Sequence, residues 1–344
     1  MKRSFAVRFL IYASLFASTA YILTKAYETY LYFGRPIPVG SRPLFTLHRE
    51  NRTRAELVRL KNLPLKTKGR NVVDQRGGRF KMASVNWYGG SDELFIPSGL
   101  DIRHRSEIAK VIKELGFNSV RLPYSDEMVR ESPLIGRDLL LKNQDLVGGR
   151  ALDIFQAVVE AMTDEGIAVV PNNHITQATW CCGINPCDAS WHNDYLGSAC
   201  RVQQTEEQWI ENWETVMERF VNNSLVVGAD LRNEVRGVWG TMPWSSWAAA
   251  AEKAGNRLLA LNPDWLIFVE GTSSSNDLAG VRERPVVLDV DDRLVYSAHV
   301  YGWSGWAPWE DPTHDALISR SQPRCTRTGD TSWKKKSRPS GSAK

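Results

Sequence analysis

The stretch Ser224-Leu225-Val226-Val227-Gly228-Ala229-Asp230-Leu231-Arg232-Asn233-Glu234-Val235 opens as an apolar run, Leu225 to Val227, and closes on the polar pair Asn233 and Glu234. Continuous apolar runs mark strands buried on both faces, as in a parallel sheet covered by helices. In α/β barrels the chemistry lies where such strands end. Glu234 therefore stands where a carboxylate is costly to keep without a role. The plainer alternative is a carboxylate ion-paired to Arg232 or Arg236 at a strand end.

The same unit repeats on either side. Residues 82–87, 117–122, 167–171, 265–269 and 294–300 read as further strands, and 106–115, 151–162, 205–221 and 247–261 as helices. Ser106 is placed to cap the first helix, and Thr205-Glu206-Glu207-Gln208 is a capping box for the third. Each strand ends in polar or aromatic residues: Asn86-Trp87-Tyr88, Arg121 to Tyr124, Asn172-Asn173-His174, Asn233-Glu234, Glu270, and His299-Val300-Tyr301-Gly302-Trp303. Alternating strand and helix implies parallel pairing with right-handed crossovers. Polar residues at every strand end favour an α/β fold of the (β/α)8 TIM-barrel type over a doubly wound sheet. Strands one to six are legible. Strands seven and eight are not, so an incomplete barrel is expected. Residues 71–80 predict two short strands around Gly77-Gly78, a hairpin that would cap the bottom of the barrel.

The 344 residues suffice for one large domain with extra segments at both ends. Hydrophobic residues make up 42% and charged residues 24%, the composition of a globular protein. The net charge of +4 is concentrated at one end: from Arg320 onward eight Lys or Arg face Asp330 alone. The rest is slightly acidic, which argues against nucleic acid as a partner. Ser, Pro, Lys and Arg dominate 319–344 and predict a disordered basic tail. At the other end Lys2, Arg3 and Arg8 precede an uncharged segment, 9–23. That pattern predicts a signal peptide cleaved after Ala20, or a short membrane anchor, within 1–30. Residues 31–70 are expected to form a stalk, leaving 71–318 for the partial barrel. The domain is thus expected outside the cell or in a lumen, with acceptor sequons at Asn51 and Asn222.

Cys181, Cys182, Cys187 and Cys200 lie close together, and Cys325 lies apart. Such clustering in an oxidising compartment predicts two disulfides. Neighbours rarely pair, so Cys181 and Cys182 are each expected to reach Cys187 or Cys200. A zinc site with His174 or His192 lacks a C-x-x-C pair, and Asp289 to Arg293 lacks the ligand spacing of a Ca²⁺ loop. No metal or cofactor is expected. The 13 Trp are numerous enough to suggest sugar-stacking faces as well as core.

Six pieces in order resemble glycoside hydrolase family 5, the cellulase-like retaining β-glycosidases, over residues 71–312. They are Val85 to Gly89, Asn118 to Pro123, Asn173-His174, Trp180-Cys181-Cys182, Ala229 to Glu234, and Ser297 to Tyr301. The resemblance implies Glu234 as general acid/base, Asn233 on the substrate 2-hydroxyl, and Arg121 orienting the nucleophile. It implies His174, His299 and Tyr301 around the scissile bond, with Trp87, Trp180 and Trp303 as candidate sugar platforms. The family's nucleophilic glutamate on strand seven and its stacking tryptophan on strand eight find no match. Glu270 is the nearest substitute, but the family carries a carboxylate there as well, so it is not assigned as nucleophile. The expected activity is hydrolysis of β-glucans, endo-β-1,4-glucanase-like, by a retaining two-carboxylate mechanism, impaired in a truncated chain. The expected partner is a β-linked polysaccharide, and the protein is expected to be a monomer. The alternative is a non-catalytic carbohydrate-binding remnant. A metal-dependent barrel hydrolase would want a His-x-His pair at a strand end, and there is none.

Overall fold

The computed structural model describes residues 62–300 apart from Gly183 and Ile184, together with Thr19 and Leu23 in a separate unit, 1–51. Most of the predicted N-terminal segment and stalk, Tyr301, Trp303 and the tail lie outside the described residues.

The chain enters through an antiparallel hairpin, β1 (Lys66–Lys68) and β2 (Asn71–Val73), which turns at Gly69. This strand falls inside the segment expected to be stalk. The predicted Gly77-Gly78 turn is also present: Gly78 N–H donates to Asp74 Oδ1 at 2.7 Å, and Val73 pairs with Arg79. β2 is thus the middle of a small meander.

The body is one six-stranded parallel sheet in chain order: β3 (Ser84–Asn86), β4 (Ser119–Ser125), β5 (Ala168–Ile175), β6 (Gly228–Asp230), β7 (Leu266–Glu270) and β8 (Leu294–Ser297). Helices α1 (Arg105–Glu114), α2 (Asp126–Glu131), α3 (Ala151–Asp164), α4 (Glu206–Glu218) and α5 (Trp244–Leu261) occupy the connections. This is the curled parallel sheet of a (β/α) barrel, with six strands among the described residues.

Alternation along the strands sorts the core into two layers. Ala168, Val170, Val227 and Leu266 share one cluster with Leu65 and Phe80, so the N-terminal meander plugs the inner face at the start of the strands. Val120, Leu122, Val169, Ala229, Ile267 and Val269 face the other way, onto apolar faces of the helices such as Ile112, Phe155, Val158, Trp213 and Leu258. In β6 the alternation slips. Val169 pairs with Val226 but Asn172 with Asp230, one residue out of step. Gly228 lies within the slip, and a Cβ there would stand 2.2 Å from the Leu266 carbonyl oxygen.

Two helix starts show how the local chemistry resolves. The predicted capping box forms: Gln208 N–H donates to Thr205 Oγ1 at 3.2 Å, and Thr205 N–H to Gln208 Oε1 at 2.9 Å. The first helix is capped by His104 rather than Ser106, whose own N–H donates to His104 Nδ1 at 3.3 Å. Under the sheet, Trp191, Trp209 and Trp247 form a buried cluster with ring centroids 5.1–6.2 Å apart. Each indole N–H has an acceptor, respectively Glu206 Oε2, Asn173 Oδ1 and the Glu270 carbonyl.

Candidate active site

The inward row becomes polar toward the C-terminal ends of the strands. Asn86 is paired in register with Arg121, and Asn172 with Asp230, while Glu270 closes β7 and His299 lies just past β8. Arg121 is the hub. Its Nε donates to Asp230 Oδ2 at 2.7 Å, and its Nη2 to Asn233 Oδ1 and Glu270 Oε1, each at 2.9 Å.

Glu270 is fully buried, and both of its oxygens are taken. Oε1 also meets His299 Nε2 at 3.3 Å, while Oε2 accepts from the Glu234 backbone N–H at 2.8 Å and from Ser275 Oγ. Two strained turns deliver those donors. Glu234 has φ 50°, and Ser273 to Ser275 have φ 54–63°, a left-handed turn in which none of the residues is glycine. Such residues persist where the surroundings over-determine them, and they gather at functional sites. His299 bridges the two glutamates, its Nδ1 lying 2.8 Å from Glu234 Oε1.

The electrostatics follow from these contacts. Burial opposes a charge on His299, but its bonds to Glu234 and Glu270 and the charge of Glu270 outweigh that and raise its pKa to about 10. The imidazolium therefore donates from both nitrogens at neutral pH. Burial also works to raise Glu270, yet the His299 bond and the charges of Arg121 and His299 hold it well below the usual carboxylate range. Burial, then the charge of Glu270, push Asp230 up. Burial first, and the nearby Arg121 charge second, keep His174 neutral. Its Nδ1 is bonded to Asn172 Oδ1 at 2.7 Å.

Because His299 is raised from its ordinary 6.5 to about 10, it favours the folded state fully below pH about 6.5. That contribution declines as pH rises and is gone once the pH passes about 10. Denaturant unfolding followed across this window is expected to show the decline, and His299→Gln is expected to flatten it. An unchanged slope in the variant would refute the assignment.

Neither arginine beside Glu234 neutralises it. Arg232 is buried between Asp126 at 3.2 Å and Asp188 at 2.8 Å, and Arg236 lies 3.7 Å from Asp188. The Glu234 side chain is 13% exposed, against 0% for Glu270 and 6% for Asp230. Trp180 is 78% exposed, with its ring centroid 5.3 Å from that of Tyr88, which in turn meets His174 edge-on at 5.8 Å. Trp87 differs: it is 7% exposed, packed in the core, and gives its indole N–H to the Ser98 carbonyl, which leaves it little face for a sugar.

The disulfides overturn the expected pairing. Cys181 is bonded to Cys182 and Cys187 to Cys200, with Cα–Cα distances of 3.8 Å and 5.5 Å. The bond between these neighbours goes with a left-handed φ of 73° at Cys182, in the loop after β5. His174 and the two neighbouring sulfurs have their ligand atoms within 4.8 Å of one another, but the sulfurs are consumed by their mutual bond. Sequence reasoning gave no role to Asp230, Asn172 or Ser275. Inward parity along β5 points to Asn172, whereas no sequence signal marks the serine turn.

A family model described as Cellulase (glycosyl hydrolase family 5) matches residues 73–338. The chain belongs to glycosyl hydrolase family 5. Within this family it is 34% identical to an endoglucanase of Paenibacillus polymyxa over 250 residues, 69% of this chain and 59% of the relative. It is 30% identical to the major extracellular endoglucanase of Xanthomonas campestris pv. campestris over 248 residues, 68% of this chain and 48% of that one. The endocellulase of the archaeon Pyrococcus horikoshii superposes with a TM-score of 0.65 at 27% identity, covering 78% of this chain and 77% of that chain. Another structure of that enzyme holds cellotetraose. This family 5 chain spans about half the length of the curated relatives it matches.

Proposed function

We propose that this domain hydrolyses β-1,4-linked glucans, with Glu234 as general acid/base in a retaining mechanism. The observation that carries the reading is the placement of the Glu234 carboxyl at a strand end, fixed through its backbone by Glu270 and through its side chain by His299. A general acid must protonate the departing glycosidic oxygen and later activate water. The Asn233 amide would address a neighbouring sugar hydroxyl and His174 the same subsite, Arg121 would orient the nucleophile, and Trp180 would stack on a ring as exposed aromatics do. Relatives named endoglucanases and a neighbour holding cellotetraose support the substrate class.

A second reading has its own observation. A retaining mechanism needs a second carboxylate about 5–5.5 Å from the first, and the oxygens of Glu270 are already occupied by four partners. The attacking carboxylate is therefore expected from outside residues 62–300. Without it the domain would bind β-glucan and not cut it.

One experiment separates the two. Cellotetraose and soluble β-1,4- and β-1,3-glucans are incubated with the protein, and new reducing ends and binding are both measured. Cleavage supports the hydrolase. Binding without cleavage supports the carbohydrate-binding reading, and the absence of both refutes each. Secretion fits the two disulfides and the exposure of the Asn222 sequon beyond α4. No helix among the described residues is long and apolar enough to cross a membrane.

A further inference from the structure

The bond between Cys181 and Cys182 does little for the stability of the chain. A disulfide constrains the unfolded state in proportion to the loop it closes. Cys187–Cys200, with a sequence separation of 13, closes such a loop, whereas Cys181–Cys182, with a separation of 1, closes none. It also holds Cys182 in the left-handed region that non-glycine residues avoid. The reason for it is therefore local.

Its sulfurs face Asn233. Asn233 Nδ2 lies 3.2 Å from Cys182 Sγ and 3.7 Å from Cys181 Sγ. The orientation of that amide is determined by its other end: a guanidinium can only donate, so the atom 2.9 Å from Arg121 Nη2 is the Asn233 oxygen. The backbone is pinned as well, with Asn233 N–H donating to the Asn173 carbonyl at 2.9 Å. The loop bearing the sulfurs is fixed in turn. Asp188, paired to the buried Arg232, accepts from the Thr176 backbone N–H at 3.3 Å and so ties down the start of that loop. A planar amide held at its oxygen by Arg121 and at its nitrogen by sulfur has one N–H left, and one direction in which to present it.

We propose that the Cys181–Cys182 disulfide is a positioning element for Asn233, a paired sulfur acceptor that fixes the amide for a substrate hydroxyl. The role of Asn233 rests on the hydrolytic reading above, but the restraint itself does not. The restraint can be removed by reduction. A dithiol reductant supplies two electrons and two protons, the S–S bond breaks, two S–H groups form, and the reductant closes to its own disulfide. The freed thiols rotate independently, and the fixed acceptor pair is lost. Reduction then lowers the rate at the sugar without unfolding the barrel.

Two measurements test this on the full chain. In the first, the Asn233 side-chain amide protons are assigned in a ¹⁵N spectrum by their loss in Asn233→Asp, then followed in Cys181→Ala/Cys182→Ala and in wild type under mild dithiol. They are expected to shift or broaden in both cases while the melting temperature and the backbone spectrum hold. In the second, kcat on cello-oligosaccharides is expected to fall on the order of tenfold in the double variant, short of the hundredfold that a 1 Å misplacement can cost. KM is expected to change little. The same double replacement added to Asn233→Ala is expected to cost nothing further, because a residue acting through another is not additive with it. An unmoved amide resonance, or fully additive losses, would overturn the proposal. A shifted amide in a protein that does not cleave or bind glucan would sink the hydrolytic reading and leave this one standing.

Discussion

Replacing Glu234 by glutamine is expected to lower cleavage of cello-oligosaccharides by about 10²–10⁴-fold, the range that a positioned general acid/base supplies. Glutamine preserves the shape and can still accept from His299, whose Nδ1 lies 2.8 Å from Glu234 Oε1. The change removes only the transferable proton. The backbone N–H that bonds Glu270 is untouched, so folding and cellotetraose affinity are expected to persist. The loss should also depend on the leaving group. With a dinitrophenyl cellobioside the dinitrophenolate departs without protonation, so the first, glycosylation step should survive in the variant while that of a natural glucan does not. An equal loss on both substrates would show that Glu234 matters for something other than proton donation.

Glu270→Ala is expected to act on stability. The side chain is fully buried and accepts from Arg121, from the Glu234 backbone and from Ser275, with His299 at 3.3 Å. Removing one member of a buried charge network leaves the others desolvated and uncompensated, at a cost of about 3–5 kcal/mol. For a domain of this size that corresponds to a fall in melting temperature of roughly 10 °C. Part of the penalty comes from the left-handed turns at Glu234 and Ser273 to Ser275, which lose the carboxylate that over-determines them. Thermal unfolding followed by circular dichroism checks this, with Glu270→Gln expected to fall between. A variant as stable as wild type would mean that Arg121 is satisfied by Asp230 alone.

The alternation of strands and helices was legible in the sequence because each unit carries its own periodicity and caps. So was the line of polar residues at the strand ends, from Arg121 to His299. What escaped depends on geometry that no local pattern encodes. Asp230 points inward only because β6 slips register around Gly228, beside an apolar run that shows no alternation. The capping of α1 by His104 needed the ring of a residue outside the usual capping set. Ser275 reaches Glu270 through a turn of the opposite hand to any helix. The mutual pairing of Cys181 and Cys182 ran against the expectation that neighbours rarely pair, and it goes with a left-handed φ of 73° at Cys182 that no local pattern announces. Trp87 sits at a strand end like the other site residues, yet its indole faces the core.

The three indoles under the sheet make the barrel optically distinctive. Trp191, Trp209 and Trp247 are inclined to one another by 36–49° with centroids no more than 6.2 Å apart. At that spacing their electronic transitions can mix, so the trio is expected to absorb circularly polarised light as one chiral chromophore and to give a paired band of opposite signs. Since Trp209 is tied to Asn173 and Trp247 to the Glu270 carbonyl, the band reads the seating of the site's own floor. Trp180, 78% exposed and stacked near Tyr88 alone among the described rings, stands outside that cluster.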